Sequence, residues 1–185
     1  MRTIILAEEN PALRETAHAI PLKDIGSAHI KKLIADMQAL MAREKFGVAI
    51  AASQVGEPLA LFIVSGKALS LRSKDIETDG DDTEDVEDDV DVPDQVYINP
   101  VLQKVSRKKT DKHEGCLSLR GKWGMVPRAE KATVTAYDEH GKKFTRGASG
   151  FLAHVFQHEI DHLKGVLYTD KATELYDEED RKSVV

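Results

Sequence analysis

The stretch Ser149-Gly-Phe-Leu-Ala-His-Val-Phe-Gln-His-Glu-Ile-Asp-His-Leu-Lys164 decides the reading of this chain. Leu152, Val155, Phe156 and Leu163 supply apolar positions at helical spacing, and Gly165 suits a C-terminal cap. The segment is therefore expected to be a helix in the middle of the molecule. It contains His158-Glu159-Ile160-Asp161-His162. Each residue advances roughly 100° around a helix, so histidines four apart fall roughly 40° apart on one face. Their rings can share one metal ion, with Glu159 beside that face as proton shuttle. The bland alternative is a solvated helix with two surface histidines, and the flanking apolar residues fit it poorly. His154 lies on the same stripe, but it is about 12 Å from His162 along the axis at 1.5 Å per residue, too far for one ion to bind both.

A catalytic site of this type needs a third protein ligand. A HExxHxxGxxH extension would supply a histidine, but that position holds Tyr168. A later glutamate would have to be Glu174, Glu178 or Glu179, close to the end of the sequence. The remaining supply is Cys116, in His113-Glu-Gly-Cys-Leu-Ser118. It is the only cysteine, so no internal disulfide staples the fold. A thiolate is a strong ligand, and the chemistry favours Cys116.

Two motifs, Glu114-Gly-Cys-Leu-Ser118 and Gln157-His-Glu-Ile-Asp-His162, resemble those of the peptide deformylase family. The small-residue segment Gly47-Val-Ala-Ile-Ala-Ala-Ser-Gln54 resembles that family's third motif, in the right order. The likeness extends through Asn10-Pro-Ala-Leu-Arg14, Asn99-Pro100, Val126-Pro-Arg128 and Gly165-Val-Leu-Tyr-Thr-Asp170. The resemblance implies that Cys116, His158 and His162 bind one divalent metal, Fe²⁺ first and Zn²⁺ second. It implies Glu159 as general base and then acid, with the Gln54 side chain and the Leu117 backbone N–H stabilising an oxyanion. The implied substrates are N-formylmethionyl nascent polypeptides, with formate released. Gly47, Val48, Ala49, Phe151, His154 and Val155 are the expected substrate-binding residues. Ala49 stands where the family usually has a second Gly, and its methyl is expected to narrow the groove. Trp123 is expected either as a groove wall or as an ordinary core residue. A metallo-endopeptidase using a late Glu, and a non-catalytic peptide-binding relative with a structural metal, are the competing classes.

Outward from these motifs, Ser27 to Lys45 reads as an amphipathic helix with Ile30, Leu33, Ile34, Met37, Leu40 and Met41 on one face and Ser27 as N-cap. Leu59 to Val64 reads as a buried strand, and Val96 to Val105 as a strand in which Pro100 suggests an edge or a break. Lys131 to Tyr137 alternates, Asp138 to Gly141 supplies a turn, and Lys142 to Arg146 can return as the second strand of a hairpin. Ala172 to Lys182 is polar and is expected as a short helix. Strands before and between two helices point to an α+β fold rather than regular βαβ winding. The resemblance implies mainly antiparallel β-sheets around a central helix carrying the HExxH motif.

The 185 residues suit a single domain over 1–185, and 41% hydrophobic residues lie in the globular range. Residues 75–94 carry twelve acids and no Lys or Arg; without them the net charge moves from −6 to +6. That density cannot support a packed core, so the segment is expected to be a solvated insert. It lacks the acid spacing of a calcium loop. The mildly basic remainder suits at most a weak ribosome contact, and no nucleic-acid motif appears. No apolar run reaches membrane-spanning length. The N-terminal Met1 to Glu9 is too short in apolar residues for a signal peptide, so a cytoplasmic protein is expected.

Overall fold

The computed structural model describes residues 2–44, 47–70 and 92–177. Most of the acidic insert, together with Lys45, Phe46 and the tail beyond Asp177, lies outside the described residues. In chain order the elements are α1 (Ala28–Met41), β1 (Ala49–Ala51), β2 (Leu61–Val64), α2 (Gly66–Ser70), β3 (Gln95–Val105), β4 (Lys109–Cys116), β5 (Leu119–Ala129), β6 (Lys131–Tyr137), β7 (Lys143–Ser149), α3 (Gly150–His162) and β8 (Glu174–Asp177). Short 3-10 turns fill Pro11–Arg14, Leu22–Asp24, Ala52–Val55 and Tyr168–Asp170.

The strands form two antiparallel sheets, one in the order β1-β2-β3-β6-β7 and one in the order β4-β5-β8. Side chains alternate across a strand, and β2 is buried on both faces. Leu61 and Ile63 join Ile50, Val96 and Ile98 against the apolar stripe of α1. Phe62 and Val64 join Tyr97, Val134 and Ala136 against Val155, Phe156 and Ile160 of α3 and Leu163 just after it. The five-stranded sheet is thus held between two helices, and α3 also touches β5 of the smaller sheet. This is the expected α+β arrangement with the motif helix at its centre. Tyr97 stacks on Phe62 and meets Phe156 edge-on at 5.3 Å, which fixes how α3 seats on the sheet.

Helix α1 starts as expected: the Ser27 side chain accepts the Ile30 N–H at 3.3 Å. It ends at Met41, short of Lys45, and a turn through Glu44 follows.

Pro100 sits at a break, as expected: β2 pairs with β3 only over Gln95 to Ile98, and the ladder with β6 is interrupted beyond Ile98. Strand β3 lies between β2 and β6, and its register shifts between Ile98 and Val101. Asn99 adopts φ 49°, and its side-chain amide is clamped to the Ile20 backbone by bonds of 2.8 and 2.7 Å. This bulge accommodates a residue with no N–H at the point where β2 no longer flanks the strand. The expected helix near the C-terminus is instead β8, whose Leu175 pairs with Gly124 of β5. Cross-strand pairing decides that segment, and its local composition does not. Residues 92–94 belong to the packed fold: the Gly66 N–H donates to Asp94 Oδ1 at 3.0 Å.

Candidate metal centre

Helix α3 carries His158, Glu159 and His162, and the end of β4 brings Cys116 against them. The Cys116 sulfur and the nitrogens of His158 and His162 all lie within 4.8 Å of one another. Cys116 Sγ and His162 Nε2 are 3.3 Å apart, and the two imidazole rings stand nearly perpendicular with centroids 4.8 Å apart. His158 Nδ1 is 2.8 Å from Glu114 Oε2, which leaves Nε2 as its free donor. One sulfur and two nitrogens form a donor set suited to a divalent transition ion. Glu159 Oε2 and His162 Nδ1 are buried with no hydrogen-bond partner among the described residues. A cationic occupant and the water it brings would relieve that carboxylate, so the residues fit a metal. Of the late glutamates, Glu174 is exposed on β8, away from these donors, and Glu178 and Glu179 lie outside the described residues.

Behind the donors runs a buried ionic chain. Arg128 Nη2 donates to Glu114 Oε2 at 2.9 Å, and Arg128 Nη1 donates to Asp161 Oδ2 at 2.6 Å. Lys171 closes the outer end on Asp161 at 2.6 Å. Glu114 also receives His154 Nε2 at 2.9 Å. Burial would raise the Glu114 carboxyl, but hydrogen bonds from Arg128, His154 and His158 outweigh it and hold it well below the usual carboxylate range. Burial keeps His154 below its ordinary value despite that carboxylate. Burial also drives His162 well down, whereas for His158 the bonds to Cys116 and Glu114 overcome burial and the net shift is upward. Glu159 is pushed up to about 7, mainly by burial. A carboxyl with that affinity can take a proton and return it near neutral pH.

Cys116 and His158 open on a cavity of about 610 Å³. Val48, Ala49, Gln54, Phe151, His154 and Val155 line it, as do Leu117, Trp123 and Glu159. Gln54 is oriented at both ends: its Oε1 accepts the Ala51 N–H at 2.9 Å, and its Nε2 lies 3.4 Å from both Cys116 Sγ and Ser118 Oγ. Of the expected groove residues, Gly47 is not in the cavity wall. A Cβ there would sit 2.1 Å from the Met41 carbonyl oxygen, so the glycine serves the tight exit from α1. His154 does reach the wall, next to Phe151 at a ring distance of 6.2 Å, and is also tied to Glu114. Sequence reasoning assigned no role to Glu114, Arg128 or Asp161 beyond their place in motifs. Their signal was present as charged residues beside the ligands, but only the fold brings them onto one axis.

The family model for polypeptide deformylase matches residues 2–178. The chain belongs to the polypeptide deformylase family. It is 38% identical over 169 residues to peptide deformylase 1A, chloroplastic, of Solanum lycopersicum, covering 90% of this chain and 58% of that protein. The chloroplastic/mitochondrial peptide deformylase 1A of Arabidopsis thaliana is also 38% identical over 169 residues, covering 90% of this chain and 60% of its own length. The chain thus spans somewhat under two thirds of the length of these plant relatives. Among solved structures, a peptide deformylase from Legionella pneumophila is similar with TM-score 0.72 and 30% identity, covering 99% of this chain and 90% of that one. A class I type b peptide deformylase from Acinetobacter baumannii, bound to Met-Ala-Ser, has TM-score 0.75 and 26% identity, covering 92% and 98%.

Proposed function

We propose that this chain hydrolyses the formyl group from N-formylmethionine at the start of newly made polypeptides, releasing formate. The observation that carries the reading is the convergence of Cys116, His158 and His162 within 4.8 Å, beside a cavity that Cys116, His158 and Glu159 line. Cys116, His158 and His162 would hold one divalent ion, Fe²⁺ in preference and Zn²⁺ as substitute. Such an ion, when bound, polarises the formyl carbonyl and makes a water nucleophilic at neutral pH. Glu159 accepts the proton from the attacking water and delivers it to the leaving nitrogen. Gln54, its carbonyl end pinned by Ala51, turns its N–H₂ toward the oxygen on which charge grows, and the Leu117 backbone N–H is the second donor. Val48, Ala49, Phe151, His154 and Val155 receive the methionine side chain and exclude water.

The reading treats residues 1–185 as one catalytic unit with the acidic insert outside the chemistry. Among the described residues no helix is long and apolar enough to cross a membrane. The cytoplasmic location and a weak ribosome contact remain parts of the proposal. Protein purified without oxygen and loaded with Fe²⁺ should release formate from formyl-Met peptides and leave their internal peptide bonds intact. Internal cleavage without formate would replace this reading with that of an endopeptidase.

A further inference from the structure

The wall of the cavity carries charge that hydrolysis of the formyl group does not use. In the ladder between β4 and β5, Glu114 pairs with Gly124 and Cys116 pairs with Leu119. One residue, Gly115, therefore faces four, residues 120–123. The excess bows out at Gly121, which has φ +75°. Trp123 folds back over Gly115, where a Cβ would come within 3.1 Å of the indole ring. Bulges of this kind re-aim side chains beside active sites, and here both Arg120 and Lys122 line the cavity. Arg120 reaches Glu44, at the exit of α1, with a 2.9 Å ion pair, and Glu44 lines the cavity too. Among the described residues no carboxylate lies within ion-pair distance of Lys122; Asp177 is its cross-strand neighbour on β8 but does not line the cavity. The rim thus offers two cations against one anion.

Resting on the deformylase reading, we propose that Arg120 and Lys122 bind an acidic side chain in the residues just after the formylated methionine, which makes nascent chains with an early Asp or Glu the preferred substrates. Glu44 competes for Arg120 and limits the preference. A lysine at the same substrate position meets the surplus positive charge and is disfavoured. Arg120 and Lys122 act on specificity and touch no reacting atom.

The test uses C-terminally amidated formyl-Met-Ala-Ser, formyl-Met-Ala-Asp and formyl-Met-Ala-Lys, together with the same set acidic or basic at the second residue. Metal-loaded wild type, Glu44→Gln and the double variant Arg120→Ala with Lys122→Ala are compared by kcat/KM at low salt. Calorimetry of the unformylated peptides gives an independent binding readout. The acidic peptides should exceed the neutral one by about three-fold or more, as expected for one or two partly exposed charge pairs. The preference should widen in Glu44→Gln, vanish in the double variant while the neutral peptide changes little, and collapse in 0.5 M salt. The salt arm needs only wild type, so it stands even where a variant fails to fold. Equal values for all peptides, or a preference that survives the double variant, would overturn the inference. If no peptide releases formate, the deformylase reading fails separately. Calorimetry then decides the site: acid-selective binding that depends on Arg120 and Lys122 upholds it, and equal or absent binding overturns it.

Discussion

Glu114 joins more of this centre than any other residue. It orients His158, receives His154, and neutralises Arg128 in a place that water does not reach. A buried charge pair adds little net stability, but breaking one leaves the partner uncompensated. Arg128→Met should therefore cost about 3–5 kcal/mol, read as a lower denaturant midpoint. The carboxyl of Glu114 is held below its ordinary value in the folded protein. Its contribution to stability is therefore present above the unfolded carboxyl pKa of about 4.3, and it is lost as pH falls toward the folded value. In urea titrations with chelator present, the gap between wild type and Glu114→Gln should be wide at pH 7 and should shrink progressively as pH falls below about 4.3. A gap that widens on acidification would contradict the sign. Glu159→Ala should retain full metal content while formate release falls by about 10²-fold or more, typical of losing a positioned acid–base group. Near-normal turnover would remove Glu159 from the mechanism. At this scale the convergence of Cys116, His158 and His162 beside Glu159 was legible, because spacing on a helix and a single cysteine constrain it. The Glu114–Arg128–Asp161 chain was not, since β4, β5 and α3 must meet before these residues do.

At the level of elements, the helices were the most legible. The long helices α1 and α3 follow from apolar periodicity, with Ser27 and Ser149 at the expected starts, whereas the five-residue α2 was not read. The β4–β5 hairpin left no such trace. Lys109 to His113 is polar and mostly exposed, so it lacks the buried alternation that advertises a strand. Pairing with β5, and of β5 with β8, holds the segment in place. The acidic insert was read from charge density alone, and its far boundary moves inward because Asp94 bonds to the first turn of α2. Removing residues 75–90 and joining the flanks with a short flexible linker should leave formyl-Met peptide hydrolysis largely intact. A folded deletion protein without activity would show that the insert reaches the chemistry.

Across the molecule, the five-stranded sheet, whose strand β2 is buried on both faces, seats the motif helix. Helix α1 closes one face and α3 the other, so His158 and His162 sit on an element whose Phe156 packs against Phe62 and Tyr97. Phe156 is fully buried, and Phe156→Ala should cost about 3–5 kcal/mol by thermal or denaturant unfolding. The fold class was legible from strand and helix order together with the family resemblance. The division into two sheets was not, because it rests on which strands pair across long sequence separations. The central claim is that Cys116, His158 and His162 hold one ion. Anomalous diffraction from crystals of the Fe²⁺- or Zn²⁺-loaded protein tests it most directly. The account predicts a single peak bonded to the Cys116 sulfur at about 2.3 Å and to both histidine nitrogens at about 2.1 Å, with no fourth protein ligand. A metal on the two histidines with the Cys116 sulfur more than about 3 Å away would contradict it.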